Sequence, residues 1–511
     1  MAHRDTPEQA EIADHAAGMR EGDHMKVLAF AGAGKTTTLK KVASVIPRRG
    51  CYLAFNKSIA DEAKRKLAAT RCSASTMHAL AYGAMREVVG SPASLNARSF
   101  RESGISQRFR IPRLAGWNEY RVASAVVRTL ATFCASDDEQ FDARHGRDAL
   151  IASVGDPEMI RDRTRKEEAA AAIDALAPLL ATMARDWWIQ LVEEGRYSHD
   201  MYLKAIDLDD ALRRDTFRGY KYLMVDEAQD LNPVQRSILL KTGLTIIAVG
   251  DPYQQIYSWR GAENALALLP GETKYLTSSF RFGEELAARA RMILASRPDG
   301  GPEQRLIGAG PGAGPHAGPA AAIICRTNLG MIDEALNMAK KGIAFHVDNL
   351  EGLLGDVRSA LALFQGRTRD VTSAELRHFE TWGELQAEAE EGDQALGRLV
   401  SLVEQNRVPQ IERLGQVQVA DPDTARALIC TAHRSKGLEF PAVKLAGDWK
   451  DIGTMEGRWK KSRKMSGKHE ILAMEEWNAL YVGATRAITR LAGLERIYAR
   501  DEDLEPASQE P

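Results

Sequence analysis

Cysteine is scarce in this 511-residue chain: there are five (Cys51, Cys72, Cys134, Cys325, Cys430), and no two form a C-x-x-C pair. That scatter excludes a zinc ribbon, a cysteine-ligated iron–sulfur cluster and a disulfide framework, and it fits a reducing compartment. Long apolar runs are missing too. No stretch reaches the ~18 apolar residues that a membrane span needs, and the N-terminus, Met-Ala-His-Arg-Asp-Thr-Pro-Glu-Gln, lacks the apolar segment of a signal peptide. A soluble chain that is not exported is expected. Excess charge of either sign is also lacking, with 68 Lys and Arg against 70 Asp and Glu. Bulk charge therefore offers a polyanion no attraction, and any such contact must come from local basic patches. What remains, 44% apolar and 27% charged residues, is ordinary globular composition, and the length calls for two to four domains.

The most informative stretch is residues 26–39, Lys-Val-Leu-Ala-Phe-Ala-Gly-Ala-Gly-Lys-Thr-Thr-Thr-Leu. An apolar run with β character (27–30) leads into a small glycine-bearing loop and then into a helical pattern that stops before Pro47. Strand, phosphate loop and helix is the natural reading. Ala31, Gly32, Ala33 and Gly34 would let backbone N–H groups converge on phosphate oxygens, and the helix N-terminus adds positive potential. Lys35 would reach the β and γ phosphates of a nucleotide, Thr36 would hold Mg²⁺, and Thr37 would border the phosphates. Ala29 stands where the general loop pattern has a glycine. An ordinary glycine turn between strand and helix is the alternative.

The rest of the chain alternates between two patterns. Thr6 and Pro7 read as N-cap and first residue of an opening helix, with Gln9 inside it. Residues 51–55 form a second short strand, followed by Asn56 and a helix whose capping box is Ser58 with Asp61. Ser75 to His78 make the next strand-to-helix corner, and a lone His78 is more often structural. Residues 86–195 are helical, with Pro178 interrupting a long alanine-rich segment and Trp187 and Trp188 as core. The α/β pattern returns at the apolar run 222–225, which ends in Asp226-Glu227-Ala228-Gln229-Asp230. Acidic residues directly after a buried strand, in a chain with a phosphate loop, form a metal and water-activating pair: Asp226 for Mg²⁺, Glu227 for the attacking water. A solvated acidic loop is the alternative. The strand 245–249 runs into a segment where Gln254 can bond the γ-phosphate, while Tyr257, Trp259 and Arg260 can meet an unpaired nucleic-acid strand, Trp259 by stacking. Residues 298–319, rich in glycine and proline, read as a flexible loop. A second α/β pattern occupies 320–325 and 427–431, with helices between. Residues 449–468 are locally basic around Trp459, as a solvated run or as a nucleic-acid contact.

In order, Gln9, the loop from Ala31 to Thr36, Ala-Phe-Asn-Lys-Ser at 54–58, Thr76-x-His78, Asp226-Glu227-Ala228-Gln229, Gly-Asp-Pro-x-Gln-Gln-Ile-Tyr at 250–257, Ser-Phe-Arg-Phe at 279–282, Lys-Gly-Leu-Glu-Phe at 436–440 and Tyr-Val-x-x-Thr-Arg-Ala at 481–487 resemble the motifs of superfamily 1A DNA helicases of the UvrD/Rep/PcrA type, above all the helicase core of the F-box DNA helicases. Those helicases also carry alanine at the position of Ala29. The resemblance implies an α/β fold of two RecA-like P-loop NTPase domains with parallel sheets, each interrupted by a mainly helical insertion. The first domain is expected at 1–85 and 196–275 with its insertion at 86–195, the second at 276–350 and 427–500 with a short insertion at 351–426, and an acidic tail at 501–511. It implies ATP and Mg²⁺ between the two domains, with Gln9 reading adenine, Phe280 against the base and Glu439 near the ribose. Arg281 and Arg486 become arginine fingers that stabilise the transition state alongside Lys35, Asp226, Glu227 and Gln254. Phe55, Asn56, His78, Tyr257, Trp259, Arg260 and His433 become the DNA track, and alternating grip by the two domains moves the strand.

The implied activity is an ATP-dependent 3′-to-5′ single-stranded DNA translocase and helicase in repair, recombination or replication. Its partners are single-stranded and tailed or forked duplex DNA; no membrane is expected, and protein partners are unknown. The expected location is the cytoplasm and nucleoid if the chain is bacterial or phage-encoded. Two alternatives stay open: a translocase that mainly strips proteins from single strands, and a non-motor ATP-switched DNA-binding module. The sequence also departs from the family. Thr37 and Thr38 stand where members usually carry an arginine, the second insertion is short, and the motifs run so nearly end to end that neither an F-box nor a nuclease is expected.

Overall fold

Thr6 caps the first helix, α1 (Pro7–Gly18), by accepting the Gln9 N–H, and Gln9 returns the bond to the Thr6 N–H, which completes a capping box. The structure is a computed structural model describing residues 5–90, 105, 119–154, 156–160, 163–258, 264–310, 321–373, 376, 379, 381–390, 394–463, 465 and 467–499. It divides into two units, Met1–Phe30 with Gly34–Leu276, and Ala31–Ala33 with Thr277–Pro511.

The first unit holds β1 (His24–Ala29), β2 (Gly50–Ala54), β3 (Cys72–Thr76), β4 (Tyr222–Val225), β5 (Thr245–Gly250) and β6 (Glu272–Leu276) in a six-stranded sheet of order β3-β2-β4-β5-β1-β6. Every pairing is parallel. Helices cover both faces of such sheets, which is why β2, β4 and β5 are buried along their whole length and read as unbroken apolar runs. The order sets the carboxyl ends of β4, β5 and β1 side by side, where open parallel sheets bind ligands. Helices α2 (Lys35–Val45), α3 (Lys57–Leu67) and α4 (Met77–Val89) follow β1, β2 and β3. The cap of α3 is Asn56, whose Oδ1 accepts the Ile59 N–H at 2.9 Å, not Ser58; β2 already ends at Ala54, so the helix begins earlier.

The helical part of this unit contains α5 (Glu119–Ala135), α6 (Ala143–Val154), α7 (Arg163–Glu193) and α8 (His199–Leu208). Pro178 does not interrupt α7, which runs straight through it. Packing outweighs the local cost of the proline: Ala177, Leu180, Ala181 and Ala184 are buried, and α6 approaches so closely that a Cβ on Gly146 would fall 2.3 Å from the Ala177 carbonyl oxygen. Trp187 is buried, and Trp188 packs edge-on to Phe133 with ring centres 5.7 Å apart, as core residues.

The second unit begins with β7 (Ser278–Ser279) and β8 (Ile307–Gly308), which pair with each other. Part of the glycine-rich connection is thus held in a ladder, while 311–320 lie outside the described residues. Its main sheet takes β9 (Ala321–Cys325), β10 (Phe345–Val347), β11 (Ala427–Thr431), β12 (Phe440–Leu445) and β13 (Ala487–Ala492) in the order β10-β11-β9-β12-β13, again all parallel. Helices such as Leu350–Phe364 and Gln394–Glu404 fill the chain between β10 and β11 and share a core with Ile323, Phe345 and Ile429.

Candidate functional site

The loop after β1 turns on two glycines in left-handed conformation, Gly32 at φ +74° and Gly34 at φ +78°. A Cβ disfavours that region, so glycine suits both positions. Gly34 is the N-cap of α2 and supplies no side-chain cap, which leaves the first N–H groups of the helix for an anion. Thr37 faces solvent, whereas Thr38 turns inward: its Oγ1 donates to the Gly34 carbonyl at 3.1 Å and accepts from Gln9 Nε2 at 3.3 Å. Gln9 is buried, and its Oε1 accepts from Thr6 N–H at 3.1 Å. Thr38 therefore ties the segment expected to read adenine to the phosphate loop, a link the sequence did not suggest.

The carboxyl ends of β4 and β5 bring an acidic cluster to this loop. Lys35 Nζ donates to Glu227 Oε1 at 2.6 Å. Burial alone would lower the Lys35 pKa, but the charges of Glu227, Asp226 and Asp251 outweigh it and hold the ammonium above its ordinary value. Asp226 shifts upward, first by burial and then by the like charge of Glu227, with Lys35 opposing. Its Oδ1 accepts the Glu227 N–H at 3.0 Å, and its Oδ2 accepts the Tyr52 hydroxyl. Glu227 sits at φ +52°, a left-handed conformation that costs a non-glycine residue about 1–3 kcal/mol and that recurs at functional sites.

From Glu227 a chain of side chains runs inward. Glu227 Oε2 accepts from Gln229 Nε2 at 2.6 Å, and Gln229 Oε1 accepts the Asp251 N–H at 3.1 Å. Asp251 in turn accepts from Gln254 Nε2 at 2.8 Å and from the Tyr253 N–H at 3.1 Å, and burial pushes its pKa up to about 6. Lys35, Glu227, Gln229, Asp251 and Gln254 thus form one connected network across the ends of three neighbouring strands. Thr36, in the first turn of α2, and Asp226 offer hydroxyl and carboxylate oxygens, the donor set of a hard cation such as Mg²⁺. Tyr52 and Asp251 were not legible as site residues. Tyr52 lies within a run that reads as buried strand and no short-range pattern marks it, whereas Asp251 stands in the Gly-Asp-Pro-x-Gln-Gln-Ile-Tyr motif but carried no role of its own there.

Among the candidate nucleic-acid residues of this unit, Phe55 is 42% exposed and stacks on Tyr257, with ring centres 5.8 Å apart and planes within 14°. Asn56 is exposed and caps α3. His78 lies 6.3 Å from His199 of α8, ring to ring, and burial lowers its pKa. Trp259 and Arg260 lie outside the described residues.

In the second unit, Arg281 donates from Nη1 to the Thr485 carbonyl at 2.9 Å and pairs through Nη2 with Glu439 at 2.7 Å. Arg486 is 1% exposed: Nε donates to the Val482 carbonyl at 3.0 Å and Nη1 to the Leu438 carbonyl at 3.3 Å. Arg281, Glu439 and Arg486 are therefore neighbours within this unit. Phe280 is half-buried, and so is His433, which lies on the short helix Ala432–Ser435. In the helix Ile452–Ser462, Met455 and Ser462 are buried, and Arg458, Lys460, Lys461 and the flanking Arg463 face solvent, with Arg463 5.1 Å over the Trp459 ring.

A phosphate loop and an acidic pair at the carboxyl edge of one parallel sheet, with a second parallel α/β unit carrying clustered arginines, define a P-loop protein of helicase architecture. The chain belongs to the UvrD-like helicase family: the family model of the UvrD/REP helicase N-terminal domain matches residues 7–270, and that of the UvrD-like helicase C-terminal domain matches 331–492. It is similar to F-box DNA helicase 1 of Gallus gallus, at 29% identity over 94% of this chain and 48% of that protein. F-box DNA helicase protein 1 of Schizosaccharomyces pombe is 28% identical over 93% of this chain and 56% of its own length. ATP-dependent DNA helicase UvrD2 of Mycobacterium tuberculosis is 26% identical over 91% and 75%. The chain spans about half the length of the F-box relatives it matches. No helix among the described residues is long and apolar enough to cross a membrane.

Proposed function

We propose that this chain is an ATP-driven motor that moves 3′ to 5′ along single-stranded DNA and separates duplexes carrying a single-stranded tail or fork, in DNA repair, recombination or replication, in the nucleus or nucleoid. The observation that carries this reading is the network from Lys35 through Glu227, Gln229 and Asp251 to Gln254, which links the phosphate loop to the segment bearing Tyr257. The network ends at Gln254, on the same segment as Tyr257, the residue that stacks on Phe55.

In this reading the loop amides and Lys35 hold the β and γ phosphates, and Gln9 meets the adenine. Glu227 orients and deprotonates the attacking water; in the nucleotide-bound state Lys35 shifts from its carboxylate to phosphate oxygens, which frees Glu227 for that task. Mg²⁺ held by Thr36 and Asp226 would neutralise charge on the phosphates when bound. Arg281 and Arg486 are proposed to supply positive charge as the γ-phosphate leaves. Phe55, Tyr257 and Trp259 offer π faces that stack on bases whatever the sequence, while Asn56, His78, Arg260 and His433 line the strand.

The test is ATPase activity with and without single-stranded DNA, which is expected to stimulate the rate; indifference to DNA would favour the ATP-switched binding module. In the same assay, Phe55→Ala is expected to weaken single-strand binding by about 1–3 kcal/mol, read by fluorescence anisotropy, and to leave DNA-free hydrolysis in place. Parental DNA affinity in that variant would remove Phe55 from the track.

A further inference from the structure

Asp226 is held from a direction that no motif describes. Tyr52 lies at the centre of β2, paired in register with Met224 of β4, and is 1% exposed. Its hydroxyl donates to Asp226 Oδ2, while the Glu227 N–H holds Oδ1 at 3.0 Å and the N–H of Asp226 itself donates to the Leu53 carbonyl at 3.1 Å. Backbone and both carboxylate oxygens are thus fixed by β2 and by the next residue. The phenol ring alone would satisfy the packing of this strand, and phenylalanine fills nearly the same space. What tyrosine adds is one hydrogen bond, spent on the carboxylate assigned to the metal. A carboxylate oxygen has two lone pairs, so bonds to Tyr52 and Glu227 leave one on each oxygen for a cation or for water bound to it.

We propose that Tyr52 is a positioning residue for the divalent cation: its hydroxyl locks the Asp226 carboxylate in the orientation that meets Mg²⁺. This rests on the reading of Asp226 as a ligand of Mg²⁺. Partners that orient a metal ligand typically account for 10–100-fold in metal affinity. A hydroxyl that merely competed with the cation would act in the opposite sense, and its removal would tighten binding.

The test uses the full chain with Mn²⁺ as the probe, titrated by electron paramagnetic resonance in the presence of a non-hydrolysable ATP analogue, for the parent, Tyr52→Phe and Asp226→Asn. Thermal melting checks that each variant is folded. Tyr52→Phe is expected to raise the Mn²⁺ dissociation constant about tenfold. It should raise the half-saturating Mg²⁺ for ATP hydrolysis in parallel, with excess Mg²⁺ restoring most of kcat; a merely structural role would not produce that rescue. If Asp226→Asn loses Mn²⁺ while Tyr52→Phe binds it as tightly as the parent or more tightly, the role of Tyr52 is overturned and the ligand assignment stands. If Asp226→Asn also keeps parental affinity, the ligand assignment fails and the role of Tyr52 falls with it.

Discussion

Glu227→Gln is expected to lower kcat for ATP hydrolysis about 10³-fold, within the range general-base catalysis supplies, while nucleotide still binds. The substitution is nearly isosteric, and its one amide oxygen can still accept from Lys35, while its NH2 group replaces the oxygen that accepts from Gln229. What disappears is the base. The like charge that helps raise the Asp226 pKa disappears as well, so that carboxylate should ionise more readily and metal binding should not suffer. Steady-state hydrolysis beside fluorescent-nucleotide binding separates the two effects. Full turnover in the variant would remove Glu227 from the chemistry.

Lys35→Ala is expected to fail differently, at binding as well as turnover. Lys35 is the cation facing Glu227, Asp226 and Asp251, and its side chain is only 15% exposed. Its removal leaves three carboxylates repelling one another in a partly buried space, and breaking a buried ion pair in this way costs about 3 kcal/mol. A lower melting temperature and a loss of ATP affinity should accompany the loss of hydrolysis, whereas Glu227→Gln should retain affinity. A Lys35→Ala protein that binds ATP like the parent would contradict the placement of Lys35 at the phosphates.

What the sequence made legible was local. The phosphate loop is contiguous, its glycines occupy the conformations their placement implies, and the pair Asp226-Glu227 follows a run that is buried strand to its last residue. The α/β class with parallel sheets followed from such runs and from the family resemblance. Non-local features were not legible. Tyr52 and Asp226 are 174 residues apart and meet only because β2 pairs with β4. Gln229 reaches Asp251 because β4 lies beside β5. Packing also overrode two local signals: α7 passes through Pro178, and Ile307–Gly308 joins a ladder inside a stretch whose glycine and proline content reads as flexible. The oddity at Thr37 and Thr38 gained a partial account, since Thr38 bridges Gln9 and Gly34. Nothing in the structure explains why Thr37 replaces the usual arginine.

The central claim, that this nucleotide site drives a DNA motor of defined polarity, is tested most directly by strand separation on two duplexes that differ only in which strand carries the single-stranded tail. With ATP and Mg²⁺, the 3′-tailed duplex should be unwound and the 5′-tailed duplex left intact, and Glu227→Gln should unwind neither. Unwinding of the 5′-tailed duplex alone would contradict the polarity, and two intact duplexes with an ATPase rate indifferent to DNA would contradict the motor itself.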